Sequence, residues 1–196
     1  INSPDLSQVT SLKQMFRDCT IFNGILNNWD VSTITDISGM FYEARAFNRP
    51  LDLWTTGVIT DMSETFYAAS NFNEPLDNWN TGAVTTMERM FFRAGRFNQN
   101  INNWNVSQVT TMASTFESTS AFNHPLNNWE VSNVMDMTGM FDGSRFNHPI
   151  DNWNVSKVIT MSRMFRHAYY NHPLESWNVS SVTDFSLMFQ RHRTFN

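Results

Sequence analysis

The chain has 196 residues, a net charge of −5, a charged fraction of only 16% and an aromatic fraction of 14%. That balance excludes the basic footprint of a nucleic-acid-binding domain. No run of about 18 apolar residues is present, so direct membrane insertion is not expected either.

The tryptophans set the organisation. They stand at Trp29, Trp54, Trp79, Trp104, Trp129, Trp153 and Trp177, at intervals of 25, 25, 25, 25, 24 and 24 residues. A fixed period of about 20–50 residues marks a stacked array rather than ordinary domains. Residues 1–196 are therefore expected to form a single repeat array, with about seven full turns and partial turns at both ends. The chain opens on Ile1 rather than Met, which suggests a fragment of a longer protein; no signal peptide is visible.

Each repeat offers its elements in the same order. Proline comes first in most copies, at Pro50, Pro75, Pro125, Pro149 and Pro173. It has no N–H to give a ladder and suits the entrance of a strand. Next come Trp104-Asn-Val106, Trp129-Glu-Val131 and Trp153-Asn-Val155, where apolar and polar residues alternate. That period of two predicts a short strand with one buried face. Asp36, Asp61, Thr86, Thr111, Asp136, Thr160 or Asp184 follows, each suited to cap a helix N-terminus. Behind the cap, Met87, Met90, Phe91 and Ala94 are spaced i, i+3, i+4, i+7, and Met161, Met164, Phe165 and Ala168 repeat the pattern. This is the buried stripe of a helix about two turns long, too short to hold without packing. The M-x-x-M pairs, including Met137/Met140, are read as core rather than as a soft-metal motif.

Phe-Asn closes the loop in nearly every copy, from Phe22-Asn23 to Phe195-Asn196, with Tyr170-Asn171 the one change of aromatic. An asparagine that recurs in every copy predicts a ladder in which buried amides bond backbone groups of neighbouring turns. The loop before it lacks one residue in two copies, ahead of Phe146 and of Tyr170, which places it at the surface. Cys19, the sole cysteine, can form no internal disulfide, and its column (Ala44, Ala69, Ala94, Thr119, Ser144, Ala168) predicts a small buried side chain.

Candidate functional residues lie in columns that should face water. On either side of each inward Trp stand Asn78, Asn103, Asn128 and Asn152, and Asn80, Asn105, Glu130 and Asn154. These eight form the candidate binding face, a polar surface suited to an extended partner held by many weak hydrogen bonds. The same residues would equally serve to solvate a sheet face. A variable column carries His124, His148 and His172 on successive turns, the candidates for a metal or pH-sensing site, although no Cys or Asp shares the column. Asn105-Val-Ser107, Asn154-Val-Ser156 and Asn178-Val-Ser180 fit the glycosylation pattern but are repeat consensus. No nucleophile–base pair, paired acids or glycine-rich phosphate loop rises above the repeat, so neither an enzyme nor a cofactor is expected.

The whole phrase, L-x-x-W-x-V-S-x-V-T-x-M-x-x-M-F-x-x-A-x-x-F-N-x-P, resembles the repeat of the BspA-like bacterial surface proteins, including surface and lipoprotein repeats of Listeria and mycoplasmas. The resemblance runs from about Pro4 to Asn196. It implies an α/β, leucine-rich-repeat-like solenoid with one short parallel strand and one short helix per 24–25-residue turn, in which Leu126, Trp129 and Val131 take inward positions. It also implies a secreted or cell-surface location and a non-enzymatic binding or adhesion module for a host protein or glycan. The alternative is a structural spacer or stalk, able to self-associate end to end. No lipobox cysteine or anchoring segment accompanies the resemblance.

Overall fold

A computed structural model describes residues 3–192, in which the chain winds into coils stacked in parallel register. A ladder of single-residue parallel bridges runs through Ser11, Asp36, Asp61, Thr86, Thr111, Asp136, Thr160 and Asp184. Each step of that ladder advances the chain by one repeat.

The expected α/β leucine-rich-repeat-like solenoid does not form. Among the described residues there is no helix, and pairing goes no further than isolated bridges. Each coil is instead a succession of tight turns. In one of them Trp79 N donates to Leu76 O, Val84 N to Thr81 O, Met90 N to Met87 O, Ala94 N to Phe91 O and Phe97 N to Ala94 O, at 3.0–3.1 Å. Such a turn brings its first and fourth residues together. Here both ends face inward, so Leu76, Trp79, Thr81, Val84, Met87, Met90, Phe91, Ala94 and Phe97 all reach the core.

The stretch read as a helix shows why the reading failed. Met87, Met90, Phe91 and Ala94 are all fully buried, as the spacing required. The backbone between them is not helical. Arg89 and Arg93 have φ of 53° and 55°, and the neighbouring coil repeats this at Ser114 and Ser118, with φ of 54° and 58°. A left-handed residue every fourth position cannot sit in a right-handed helix. Arg89 N, Phe91 N and Arg93 N donate to Ala113 O, Thr115 O and Glu117 O of the next coil, at 2.9–3.0 Å, while the residues between them donate within the turn. A helix of two turns would leave most of its N–H and C=O groups without partners inside itself. The stacked turns satisfy them by alternating between their own coil and the next one.

The predicted caps keep their chemistry without a helix to cap. Asp36 and Asp136 accept the N–H of the residue two further on, Ser38 and Thr138, at 2.8 Å. They also carry the bridge ladder, which was expected at the Trp segment. There, Trp104 and Val106 are buried and Asn105 between them is exposed, as the alternation predicts, but no bridge forms. Side chains tie the coils on that wall. The Nε1–H of Trp54, Trp79, Trp104, Trp129, Trp153 and Trp177 donates to the carbonyl of Leu26, Leu51, Leu76, Ile101, Leu126 and Ile150 in the preceding coil, at 2.9–3.1 Å.

The core is a set of aromatic columns along the stack. Trp79 lies 6.1 Å from Trp54 and 6.3 Å from Trp104, with rings within 7° of parallel. Phe91 lies 5.6 Å from Phe66, 5.7 Å from Phe116 and 3.9 Å from Phe97 of its own coil. Offset near-parallel rings are a favoured aromatic geometry. Cys19 departs from its column and is exposed, because the first described coil has a neighbour on one side only.

Left-handed positions filled by residues other than glycine give a direct test. Ala68 has φ of 50°, in the column where Gly143 has 67°. Ala68→Gly is expected to raise stability by about 0.5–1 kcal/mol, since relief of the left-handed cost outweighs the added chain entropy. Gly139→Ala should do the reverse, because φ is +60° and a Cβ there would meet Glu117 Oε2 at 3.0 Å and Ser114 Oγ at 3.2 Å. Paired thermal melts showing the same sign for both would contradict this backbone.

Candidate functional site

The turn that carries each Trp inward leaves the residues on either side of it outside. Asn78, Asn103, Asn128 and Asn152 are accordingly exposed in one column, and Asn80, Asn105, Glu130 and Asn154 in the other. Parallel register sets successive coils about 4.8 Å apart. The eight candidates therefore share one face, as expected, but that face is built on turns and not on a sheet.

Much of their hydrogen bonding is structural. In the second column, Asn80, Asn105, Glu130 and Asn154 each accept, through a side-chain oxygen, the N–H two residues on: Gly82, Ser107, Ser132 and Ser156, at 3.0–3.2 Å. Asp30 does the same for Ser32 at 3.0 Å. The Ser32 hydroxyl and N–H hold the Asp30 carboxyl below its ordinary pKa. Asn and Asp favour this turn because a short side chain can mimic a backbone acceptor. In the first column, Asn103 and Asn152 donate through Nδ2 to Asp77 O and Asn127 O of the preceding coil, both at 2.7 Å. Asn128 N donates to Asn102 Oδ1 at 3.0 Å.

The face is not uniform. Where Asn28, Asn78, Asn103, Asn128 and Asn152 stand in other coils, one coil has Leu53 and the last described coil has Ser176. Its N–H donates to Asp151 Oδ1 at 2.9 Å and its hydroxyl to Asp151 Oδ2 at 2.8 Å. The short side chain, drawn onto Asp151, opens a hollow lined by Asp151, Asn152, Trp153, Asn154, Val155, Ser176 and Asn178. Two of the eight candidates, Asn152 and Asn154, line it. Ser176 and Asn178 continue the two outward columns, and only Asp151 lies outside them. The departure of Ser176 from asparagine was the available signal.

The histidine column is used otherwise than expected. His124, His148 and His172 each place Nε2 3.0–3.1 Å from the carbonyl of Asn98, Asn123 or Asn147 in the preceding coil. A carbonyl only accepts, so Nε2 carries a proton there and cannot ligate a metal. Arg49 and Gln99, in the same column, donate to Asn23 O and Asn73 O. Among the described residues no group of three or more His, Cys, Asp or Glu side chains converges on a metal position. Nε2 of His124, His148 and His172 is thus spent on an inter-coil bond that Arg49 and Gln99 also make.

The Phe-Asn ladder exists in a form that differs from expectation. Asn23, Asn48, Asn73, Asn98, Asn123 and Asn147 each accept, through Oδ1, the backbone N–H of the next asparagine in the column, at 2.8–3.0 Å. The asparagines are exposed or half-buried, not buried. Phe195-Asn196 lies outside the described residues.

One further group departs from the repeat. Asp142 stands in a variable column with Arg17, Tyr42, Tyr67, Phe92, Glu117 and Arg166, with its side chain only 4% exposed. Arg166 Nε donates to it at 2.8 Å, and His167 Nδ1 lies 3.3 Å from its other oxygen. That hydrogen bond raises the guanidinium pKa of Arg166. The carboxylate is covered by its own partners and offers nothing to a ligand. A larger hollow, lined by Leu174, Trp177, Phe185 and Met188, lies on the last described coil, on the face that inner coils press against a neighbour. Among the described residues no helix is long and apolar enough to cross a membrane.

The repeat that builds this face is one known from other proteins. The family described as "Mycoplasma protein of unknown function, DUF285" matches residues 1–91, 48–145 and 127–196, three overlapping segments that together span the chain. The chain belongs to this family. No curated protein and no solved structure matches it. Membership in DUF285 confirms the repeat organisation, while the family's own description assigns it no function.

Proposed function

We propose that this DUF285 chain is a non-enzymatic binding module of a secreted or cell-surface protein, with the asparagine-rich face as its contact surface for a host protein or glycan. The resemblance to BspA-like surface repeats supports the location and the class of partner. The observation that carries the reading is the alignment of Asn78, Asn80, Asn103, Asn105, Asn128, Glu130, Asn152 and Asn154, all exposed, on one face. Turn bonds in the second column and inter-coil bonds at Asn103, Asn128 and Asn152 fix much of the row, so a partner orders few side chains on binding. Individually weak contacts on successive coils add up for a ligand long enough to span them.

The turn chemistry permits a test that spares the fold. Asp30 performs in its own coil the acceptor role of Asn80 and Asn105. Asn80→Asp and Asn105→Asp together should therefore leave the melting temperature within about 2 °C at neutral pH, while removing two amide donors. A carboxylate whose pKa is depressed by such a turn stabilises above its unfolded pKa, and the contribution is lost as pH falls through the folded value, so the double variant should lose stability only in acid. The chain is expected to bind saturably to at least one component of a glycan array or a panel of immobilised extracellular-matrix proteins. The double variant should weaken that binding about tenfold or more. Absence of saturable binding across both panels would contradict the module reading and leave a spacer.

A further inference from the structure

The geometry points to a specific subsite on this face: we infer that the hollow between Asp151 and Asn178 holds a single neutral sugar ring, the anchoring unit of a longer glycan. This rests on the binding-face reading and narrows it to one ligand class and one place.

The hollow keeps donors and acceptors that the fold leaves unspent. Asn154 and Asn178 each spend Oδ1 on their own turn, accepting Ser156 N at 3.2 Å and Ser180 N at 3.1 Å. Among the described residues their Nδ2 groups donate to nothing. Two amide donors are thus fixed on adjacent coils, about 4.8 Å apart along the stack. Asp151 supplies the acceptor. The two Ser176 bonds orient its carboxylate, and each of its oxygens keeps a further lone pair.

A sugar hydroxyl both donates and accepts. Set between an amide N–H and a carboxylate, it satisfies both groups at once. A neighbouring hydroxyl on the same ring repeats the pattern against the second amide. Trp153 and Val155 close the floor of the same hollow but are buried, 3% and 1% exposed, so the ring is held by the polar groups around it. The chemistry disfavours the alternatives. The lining includes no Lys or Arg to hold an anion, and it offers a cation a single carboxylate where a hard metal ion takes about six or more oxygen ligands. Only this coil has serine in the column, which makes the subsite single and lets it fix the register of a polymer along an otherwise repetitive face.

The test uses the whole chain and two readouts. Methyl glycosides of glucose, galactose, mannose and N-acetylglucosamine are titrated while backbone amides are followed by nuclear magnetic resonance. At least one glycoside should bind saturably, with shifts concentrated on residues 151–155 and 176–178. Asn178→Asp keeps its turn acceptor, as Asp30 does, and should weaken that binding about tenfold or more with little change in melting temperature. Lys13→Ala, at an exposed side chain outside the asparagine columns, should change it less than about twofold. Equal weakening by the two variants would overturn the subsite, and shifts spread over the inner coils would overturn it while leaving the wider face standing. Calcium shifting the same amides while no glycoside does would overturn the sugar assignment. Failure of the glycosides and of every longer glycan and matrix protein would remove the face reading together with the subsite.

Discussion

Trp104→Ala is expected to destabilise the protein by about 3–5 kcal/mol, a loss of roughly 10 °C in melting temperature for a chain of this size. Two separate losses contribute. The indole is 2% exposed and lies 6.3 Å from Trp79, so its removal opens a cavity in the middle of an aromatic column. Its Nε1–H also donates to Leu76 O at 2.9 Å, and that carbonyl loses its side-chain partner in a place water reaches poorly. Trp104→Phe separates the two effects. It refills much of the volume but restores no donor; Leu76 O still accepts the Trp79 N–H, so the lost bond should cost about 0.5–1.5 kcal/mol, the usual net worth of one hydrogen bond. Chemical denaturation of the three proteins checks the ordering. A phenylalanine variant as stable as wild type would show that the indole N–H does not join the coils.

The second large effect concerns position along the stack. Phe91 is fully buried, with Phe66 and Phe116 on either side, Phe97 at 3.9 Å and Trp104 at 6.3 Å. Phe91→Ala should cost about 3–5 kcal/mol. Phe16 occupies the same column in the first described coil, stacks on Phe41 at 5.8 Å and is only partly buried. Phe16→Ala should cost about 1–2 kcal/mol, because part of the ring already meets water. In an array where each unit touches only its neighbours, one deletion weakens two interfaces in the middle and one at an end. Equal costs for the two substitutions would argue for a body without a repeating axis. Amide exchange should also show protection lost around Phe91 first in its own and adjacent coils.

The sequence revealed which side chains face the core. The columns of Trp, Met and Phe, the alternation at Trp104-Asn-Val106 and the outward asparagines all read correctly, because burial depends on side-chain chemistry and its period is visible in the residues. The path of the backbone was not legible. Met87, Met90, Phe91 and Ala94 have the spacing of a helix stripe, yet turns with left-handed residues at Arg89 and Arg93 give the same inward spacing. Arginine does not announce a positive φ as glycine would, and only Gly39, Gly139 and Gly143 mark those columns with the expected residue. What decided between helix and turns was a hydrogen-bond partner one coil away, and no local pattern encodes it. The bridge ladder was misplaced for a related reason: an Asp or Thr that accepts the N–H two residues on fits a helix cap and a turn equally well. On the candidate face, regularity exposed the two asparagine columns and concealed the hollow. Leu53 and Ser176 both depart from the first column, and the effect of Ser176 depends on the bonds it makes to Asp151.

The central claim is that alternate N–H groups between Met87 and Ala94 leave their own coil and bond the next one. Scalar coupling across hydrogen bonds, measured by nuclear magnetic resonance on labelled protein, reads the acceptor of each N–H directly. Couplings should connect Arg89 N to the Ala113 carbonyl carbon, Phe91 N to that of Thr115 and Arg93 N to that of Glu117. Couplings from Arg89, Phe91 and Arg93 to the carbonyls of Thr85, Met87 and Arg89, four residues back, would mean a helix and contradict the account.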